Sequence, residues 1–242
     1  NVAHGADVVV AALGESSEMS GESSSRTDLN IPDVQKTLLE ELVKTGKPVV
    51  LVLFTGRPLT LTWEDKNVSA ILNVWFGGTE AAYAIGDVLF GNVNPGGKLP
   101  VTFPQNVGQI PLFYNHKNTG RPLAEGGWFE KFRANYLDVT NEPLYPFGYG
   151  LSYAQFDYSD VRLSTDQIDR NGMLTASVTV TNNSECDGDE IVQLYIRDLV
   201  GSVTRPVKEL KGFEKVTIRA GESKDISFKI TPEMLKFYNS DI

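Results

Sequence analysis

The chain has 242 residues, of which 41% are hydrophobic and 22% charged, so it can bury one core or two. Acidic residues outnumber basic ones by 31 to 22, and the net charge of −9 argues against a nucleic-acid partner. The single cysteine, Cys186, cannot form an internal disulfide. Because structural zinc sites are built mostly from Cys and His, one thiol and two histidines also argue against a metal site.

The sequence carries no sign of a membrane segment or a targeting peptide. No apolar run approaches the roughly 18 residues that a membrane helix needs, so no membrane partner is expected. The first residues lack the charged and apolar regions of a signal peptide. The chain does not start with Met, and we interpret it as a processed or excised piece of a longer protein.

The first part of the chain alternates strand-like and helix-like segments. Apolar runs at 7–13, 48–54 and 69–74 are typical of strands buried on both faces. Apolar residues at helical spacing predict helices at 33–45 and 79–90, each followed by a glycine that can end it. Short loops between these elements predict an α/β layer with a mostly parallel sheet.

The last part of the chain has a different pattern. Residues 174–181, 192–196 and 226–230 alternate apolar and polar side chains, as half-buried strands do. Turn residues separate these segments and no helical pattern intervenes. We therefore predict a β-sandwich.

These patterns divide the chain into three predicted parts. Residues 1–114 are expected to form a portion of an α/β domain, and residues 154–242 a β-sandwich that is truncated at its end. The connector 115–153 is rich in Gly, Pro and aromatic residues. We expect it to be ordered, because a flexible linker would not carry so many large aromatic side chains.

One loop stands out as a candidate for chemistry. Residues 14–29 follow the first predicted strand and therefore lie at its carboxyl end, where open α/β sheets bind ligands. A loop that presents one carboxylate for proton transfer would have this composition, and so would a solvated polar loop. Its charged residues are Glu15, Glu18, Glu22, Arg26 and Asp28.

The run GESSSRTDLNIP at 21–32 resembles the acid/base loop of glycoside hydrolase family 3. Within that family the chain is most similar to the periplasmic β-glucosidases of Gram-negative bacteria. The last of the further matching runs resembles the family's C-terminal fibronectin type III-like domain. In chain order these runs are KPVVLV (47–52), GRPL (56–59), WFGGTEA (75–81), GNVNPGGKLP (91–100), NTGRP (118–122), LYPFGYGLSY (144–153) and RPVKELKGF (205–213).

The resemblance implies a fold and an activity. It implies a partial α/β sandwich with a mostly parallel sheet, followed by a fibronectin type III-like β-sandwich. The family places a TIM-like barrel before these domains, and that barrel supplies the aspartate nucleophile. We therefore expect the chain to be a fragment of a retaining exo-acting β-glucosidase. The whole enzyme would hydrolyse terminal β-linked glucose without a cofactor, and the fragment alone would be inactive. Because the barrel holds the residues of the first sugar subsite, β-xylosidase specificity stays open.

The resemblance assigns a role to one site residue, and the sequence itself suggests roles for four others. Glu22 is the residue that matches the family's general acid/base, and without the barrel we expect it to be exposed. Glu15, Arg26, Asp28 and Trp75 are predicted to bind substrate or to brace the loop, with Arg26 and Asp28 paired to each other. Trp75 has two interpretations, as a surface on which a sugar stacks or as a packing residue.

The expected partners follow from this assignment. They are a β-glucoside or oligosaccharide substrate, the barrel domain of the same protein and, through exposed sheet edges, a second copy in a homodimer. Periplasmic or secreted localisation is inferred from the resemblance. The alternative is a non-catalytic accessory module that binds carbohydrate or protein.

Overall fold

The computed structural model describes residues 2–124 and 126–240 and divides into two compact units. The first unit comprises Asn1–Leu89, Val101–Phe113 and Arg121–Phe147. The second comprises Phe90–Pro100, Tyr114–Gly120 and Gly148–Ile242. The two units are therefore interleaved along the chain.

The first unit is built on a three-stranded parallel sheet. Its strands are β1 (Val9–Gly14), β2 (Val49–Phe54) and β3 (Ala70–Asn73), in the spatial order β1-β2-β3. All three predicted strands are present, and β2 lies in the middle. The leucines and valines of β2 are almost all buried, which is the pattern of a parallel strand covered on both faces.

Three helices accompany this sheet: α1 (Asp33–Val43), α2 (Thr62–Asn67) and α3 (Ala81–Leu89). Helices α1 and α3 confirm the two predicted helices, whereas α2 has no counterpart in the sequence analysis. On α3 the apolar residues Ile85, Val88 and Leu89 are half-buried, Ala82 is exposed, and no residue of that helix is fully buried. The fully buried side chains of the unit include Ile31, Leu39, Leu51, Leu53, Leu59, Leu61 and Phe103.

The second unit contains two antiparallel sheets. Strand β6 (Leu174–Asn182) pairs with β9 (Ser223–Ile230) along one edge and with the short strands β4 (Phe156–Tyr158) and β5 (Arg162–Leu163) along the other. Strands β7 (Gly188–Ile196) and β8 (Glu209–Ile218) form the second sheet, with a register shift at Leu194/Tyr195. A short helix, α4 (Pro232–Leu235), follows β9.

A compact apolar core forms where the alternating residues of these strands meet. The core residues come from strands of both sheets, which is the arrangement of a β-sandwich. The predicted fold class, an α/β unit followed by a β-sandwich, is thereby confirmed. The buried members of the core are Val178, Val180, Val192, Val216, Ile218 and Ile226, with Phe156 and Phe228 packed against them.

The predicted parts are continuous stretches of sequence with boundaries at residues 114 and 153, whereas each of the two units groups segments that are in contact in space. They differ most in two segments, because residues 90–100 belong to the sandwich unit and residues 121–147 to the α/β unit. The predicted connector is therefore shared between the units. Within the described ranges, no helix combines the length and apolar character needed to cross a membrane.

Candidate functional site

The carboxyl ends of β1 and β2 bring two polar segments together. Residues 15–30, called the site loop below, follow β1, and Thr55, Gly56 and Arg57 follow β2. Because the two strands are parallel neighbours in register, Gly14 lies opposite Phe54 and both segments leave the sheet at one edge. Ligand sites of open α/β sheets lie at this edge.

The site loop starts from a tightly fixed glycine. The side-chain amide of Gln35 on α1 donates to the Gly14 carbonyl at 2.9 Å, and its oxygen accepts from the Gly14 N–H at 2.7 Å. Gly14 has φ +140°, and a Cβ there would lie 1.8 Å from the Phe54 carbonyl oxygen. Only glycine fits this position, because the backbone of β2 occupies the space of a side chain.

Glu15 forms the base of the loop, and its side chain is fully buried. One carboxylate oxygen, Oε1, accepts from Arg26 Nη1 at 2.9 Å and lies 3.0 Å from Arg57 Nε. The other, Oε2, accepts from the Thr55 hydroxyl at 2.9 Å and from the Gly56 N–H at 3.2 Å. The carboxylate is thus surrounded by donors and balanced by two guanidinium groups.

The charge state of Glu15 follows from these contacts. Burial by itself raises the pKa of a carboxyl group, because it penalises the ionised form. At Glu15 the hydrogen bonds from Arg26, Thr55 and Gly56, together with the charge of Arg57, outweigh that effect and lower the pKa below its ordinary value of 4.5. Glu15 is therefore a permanently ionised anchor at neutral pH.

Arg57 extends from this anchor to the middle of the loop. Its Nη2 donates to the carbonyl of Met19 and, at 2.8 Å, to the carbonyl of Ser24. These two carbonyls lie on either side of Glu22 in the sequence. A single guanidinium group therefore joins both ends of the turn that carries Glu22.

Arg26 and Asp28 fix the end of the loop, but not through each other. Arg26 Nη2 donates to the carbonyl of Asn30 at 3.2 Å, while its Nη1 pairs with Glu15. Asp28 Oδ1 accepts from the N–H and the side-chain amide of Asn30. The predicted Arg26–Asp28 pair is thus corrected, because the buried carboxylate of Glu15 is the partner that the folded chain brings to Arg26.

Glu22 lies exposed at the turn of the loop. Gly21 and Ser23 beside it have φ +143° and +62°, and Ser24 N–H donates to the Gly21 carbonyl at 3.2 Å. Among the described residues, none donates a hydrogen bond to its carboxylate. The position of this side chain is therefore set by the backbone. Glu18 is also exposed.

The other side of the turn packs closely on the segment after β2. A Cβ on Gly56 would lie 1.9 Å from Ser20 Oγ and 2.9 Å from the ring of Phe76. Trp75, at the carboxyl end of β3, has φ +52°, and its ring lies 5.9 Å from that of the buried Phe103. This contact agrees with the packing interpretation of Trp75, and the stacking interpretation stays a prediction.

The sequence did not assign Thr55 or Arg57 to the site, although Arg57 lies in the matching run GRPL (56–59). The signal that points to them is their place, because they directly follow the second buried strand as the site loop follows the first. Within residues 2–124 and 126–240, no group of three or more His, Cys, Asp or Glu side chains is arranged to hold a metal ion. The charged side chains at the base of the loop, Glu15, Arg26 and Arg57, are instead paired with one another.

Two protein-family models match parts of this chain. Residues 1–153 match the family described as the glycosyl hydrolase family 3 C-terminal domain, and residues 190–242 match the fibronectin type III-like domain. The first match contains the whole site loop and the segment after β2. The second contains β8 and β9.

Individual relatives match nearly all of the chain. A periplasmic beta-glucosidase of Salmonella typhimurium is 54% identical over 98% of the chain and 31% of its own length. A beta-xylosidase of Formosa agariphila is 44% identical over 100% of the chain and 32% of its own length. The crystal structure of a beta-glucosidase from Listeria innocua in complex with isofagomine superposes with a TM-score of 0.92 at 44% identity, covering 98% of this chain and 33% of that one. The chain thus spans about a third of the length of these relatives.

Proposed function

Because the chain belongs to glycosyl hydrolase family 3, we propose that it is part of a retaining β-glucosidase that releases glucose from the ends of β-linked glucosides. The observation that carries the proposal is the placing of Glu22. An exposed carboxyl group lies at the turn of a loop whose base, middle and end are each fixed by an arginine or by buried Glu15. This arrangement supports a role in which one proton donor must be presented to a substrate.

In the proposed reaction Glu22 acts twice. A carboxylate from polypeptide outside this chain attacks the anomeric carbon, the glycosidic C–O bond breaks, and the Glu22 carboxyl gives its proton to the leaving oxygen. In the second half, the Glu22 carboxylate takes a proton from water, whose oxygen attacks the anomeric carbon and displaces the enzyme carboxylate. Glucose leaves with its original anomeric configuration, and both carboxyl groups return to their first state.

Glu15, the buried acid of the site, is not available as the second reactive carboxylate. Glu15 is buried, and both of its oxygens are bound by donors, so it cannot reach an anomeric carbon. Its position suits an anchor and not a nucleophile. We therefore propose that the chain alone is inactive and that the attacking group comes from the barrel domain.

The acid/base role can be tested in a hybrid enzyme. This chain would replace the matching carboxy-terminal third of the Salmonella relative, and hydrolysis of p-nitrophenyl β-glucoside would be measured. Glu22→Ala is expected to lower turnover by about 10²- to 10⁴-fold, the usual contribution of a general acid/base. Azide should restore turnover of the variant and give glucosyl azide, because the anion attacks the trapped glycosyl-enzyme without needing a base.

Glu18→Ala is the matched control, because Glu18 is an exposed glutamate of the same loop. It should retain the parental rate and show no response to azide. An unchanged rate in Glu22→Ala would contradict the proposal and favour the alternative, a non-catalytic accessory module. Turnover by the chain alone, abolished by Glu22→Gln, would overturn the claim that the nucleophile lies elsewhere.

Two further proposals come from the relatives. The name of the Salmonella protein supports periplasmic or secreted localisation, and that of the Formosa protein keeps β-xylosides open as substrates. The ratio of rates on p-nitrophenyl β-glucoside and β-xyloside in the intact protein decides the second point. The homodimer expected from the exposed sheet edges stays a prediction, which light scattering tests directly.

A further inference from the structure

We infer that Arg57 is a positioning residue for Glu22, and that it acts by joining the two ends of the turn on which Glu22 lies. The inference rests on the proposed acid/base role of Glu22. Arg57 lies in the matching run GRPL (56–59), but the sequence gives it no role in the site. Its assignment comes from the contacts of its guanidinium group.

The contacts of Arg57 are directed to both the anchor and the turn. Its side chain is 19% exposed, and its Nε lies 3.0 Å from Oε1 of Glu15. Its Nη2 donates to the carbonyls of Met19 and Ser24. One side of the guanidinium group therefore faces a buried charge, and another holds backbone atoms on both sides of Glu22.

The turn needs such an external constraint. Ser23 has a positive φ of 62°, a conformation that a non-glycine residue keeps only when its surroundings hold it there. Among the described residues, none bonds to the carboxylate of Glu22, so no contact of its own fixes that side chain. The position of the carboxyl group thus depends on the backbone from Met19 to Ser24, which Arg57 joins.

Glu15 completes the device from below. It balances the charge of Arg57 and is itself oriented by the Thr55 hydroxyl and the Gly56 N–H. An arginine suits this position because its planar group sends several donors in fixed directions. A lysine would keep the charge but could not reach the anchor and both carbonyls with the same geometry.

The dependence of rate on the leaving group tests this inference. In the hybrid enzyme, kcat/KM would be measured for phenyl β-glucoside, whose leaving group needs a proton, and for 2,4-dinitrophenyl β-glucoside, whose leaving group does not. Arg57→Ala should lower kcat/KM for the phenyl substrate about 100-fold, as expected when a catalytic group is misplaced. For the dinitrophenyl substrate it should stay within about threefold.

A merely structural role predicts another result. Loss of folded enzyme lowers both values by one factor, so equal losses on the two substrates would overturn the inference. If Arg57→Ala does not fold, Arg57→Lys replaces it with the same two expectations, because the lysine keeps a buried positive charge beside Glu15. Arg162→Ala, in an exposed ion pair of the sandwich unit, is the control and should change neither value.

The double variant separates this inference from the proposed function. Residues that act as a unit are not additive, so Glu22→Ala/Arg57→Ala should be no slower on the phenyl substrate than Glu22→Ala. A further loss in the double variant would contradict the positioning role. If Glu22→Ala itself shows no preference for the better leaving group, the acid/base role fails. If Glu22→Ala shows it and Arg57→Ala does not, only the role of Arg57 fails.

Discussion

Two regions of the α/β unit each bury a glutamate, and they shift its pKa in opposite directions. At the base of the site loop, donors from Arg26, Thr55 and Gly56 lower the pKa of Glu15 in spite of its burial. On α2, Glu64 is 2% exposed, and burial raises its pKa above 4.5. The charge of Lys36 and a backbone hydrogen bond oppose that rise without cancelling it.

The difference shows that donors, and not burial, decide whether a buried carboxyl group keeps its charge. Among the described residues, no other side chain donates a hydrogen bond or forms an ion pair with Glu64. Glu15 receives hydrogen bonds and ion pairs, and its two arginine partners, Arg26 and Arg57, also bind carbonyl groups of the loop backbone. A buried charge is therefore retained where its partners hold a loop in place.

The sandwich unit also buries a glutamate, Glu190, and surrounds it in a third way. The carboxylate of Glu190 lies 2.9 Å from Lys98 Nζ and accepts from the Tyr158 hydroxyl at 2.8 Å. Burial first, and then the bond and the charge of Glu190, raise the pKa of Tyr158, so its hydroxyl stays protonated and remains a donor. This cluster joins segment 90–100 to strands β4 and β7 and is structural.

The largest effect on stability is expected from removing the anchor of the site loop. Glu15→Ala leaves two arginines beside a buried space without their counter-charge, and breaking such a pair lowers the free energy of unfolding by about 3 kcal/mol. Thermal and urea unfolding of the chain, followed by circular dichroism, would measure it. The exposed pair Arg162–Asp225 supplies the control, because Arg162→Ala should leave stability unchanged.

If Glu15→Ala lowers the free energy of unfolding no more than Arg162→Ala does, Glu15 is not the anchor of the site loop. That result would mean that Arg26 and Arg57 find water or other acceptors once Glu15 is gone. The loop would then be held mainly by its backbone contacts, such as the hydrogen bond from Thr60 N–H to the Leu29 carbonyl.

Acid provides a second test of the same anchor. The pKa of Glu15 is lower in the folded chain than its ordinary 4.5, so its contribution is fully present above that pH and is lost as the pH falls through the folded value. Wild type should therefore be more stable than Glu15→Gln at pH 7. The two melting temperatures should converge as the pH falls below about 4.5. A constant difference down to pH 3 would contradict the assigned direction of the shift.

A smaller effect is expected in the sandwich. Tyr158→Phe removes one hydrogen bond to a charged group and leaves Lys98 in place, so it should lower the free energy of unfolding by about 1.5 kcal/mol. Hydrogen exchange of the amides of β6 and β7 would show the loss in this unit. If exchange in β1 and β2 accelerates equally, the effect is not local and the separation of the two regions fails.

The sequence predicted the parts of this fold that depend on apolar pattern. Strands β1 to β3 are long apolar runs, and the loop after β1 could be located from its place behind a buried strand. Helix α2 was missed because its six residues, TWEDKN, are too few and too polar to show a period. Strand β8 was missed because all of its first seven residues are exposed or half-buried, so the alternation of buried and exposed residues starts only at Val216.

The partners within the site could not be read in the same way. Arg26 and Asp28 are two residues apart and of opposite charge, which made them the obvious pair. In the folded chain Arg26 instead meets Glu15, and Arg57 meets it from a segment about 40 residues away. Such pairing depends on the parallel register of β1 and β2, which places Gly14 beside Phe54. Sequence spacing contains no direct record of that register.

The smallest effect is expected from Glu64→Gln, which should stabilise the protein, whereas most substitutions in a core destabilise it. A carboxyl group whose folded pKa is raised contributes stability below its unfolded pKa and loses it as the pH rises through the folded value. At pH 7 wild type carries the cost of burying an ionised carboxylate at Glu64. Glu64→Gln removes this cost and should raise the free energy of unfolding at pH 7 by up to about 1 kcal/mol. The gain should vanish below about pH 4.5, where wild type also buries a neutral group. A Glu64→Gln variant less stable than wild type at pH 7 would contradict this prediction, and it would mean that Lys36 holds Glu64 ionised as firmly as the arginines hold Glu15.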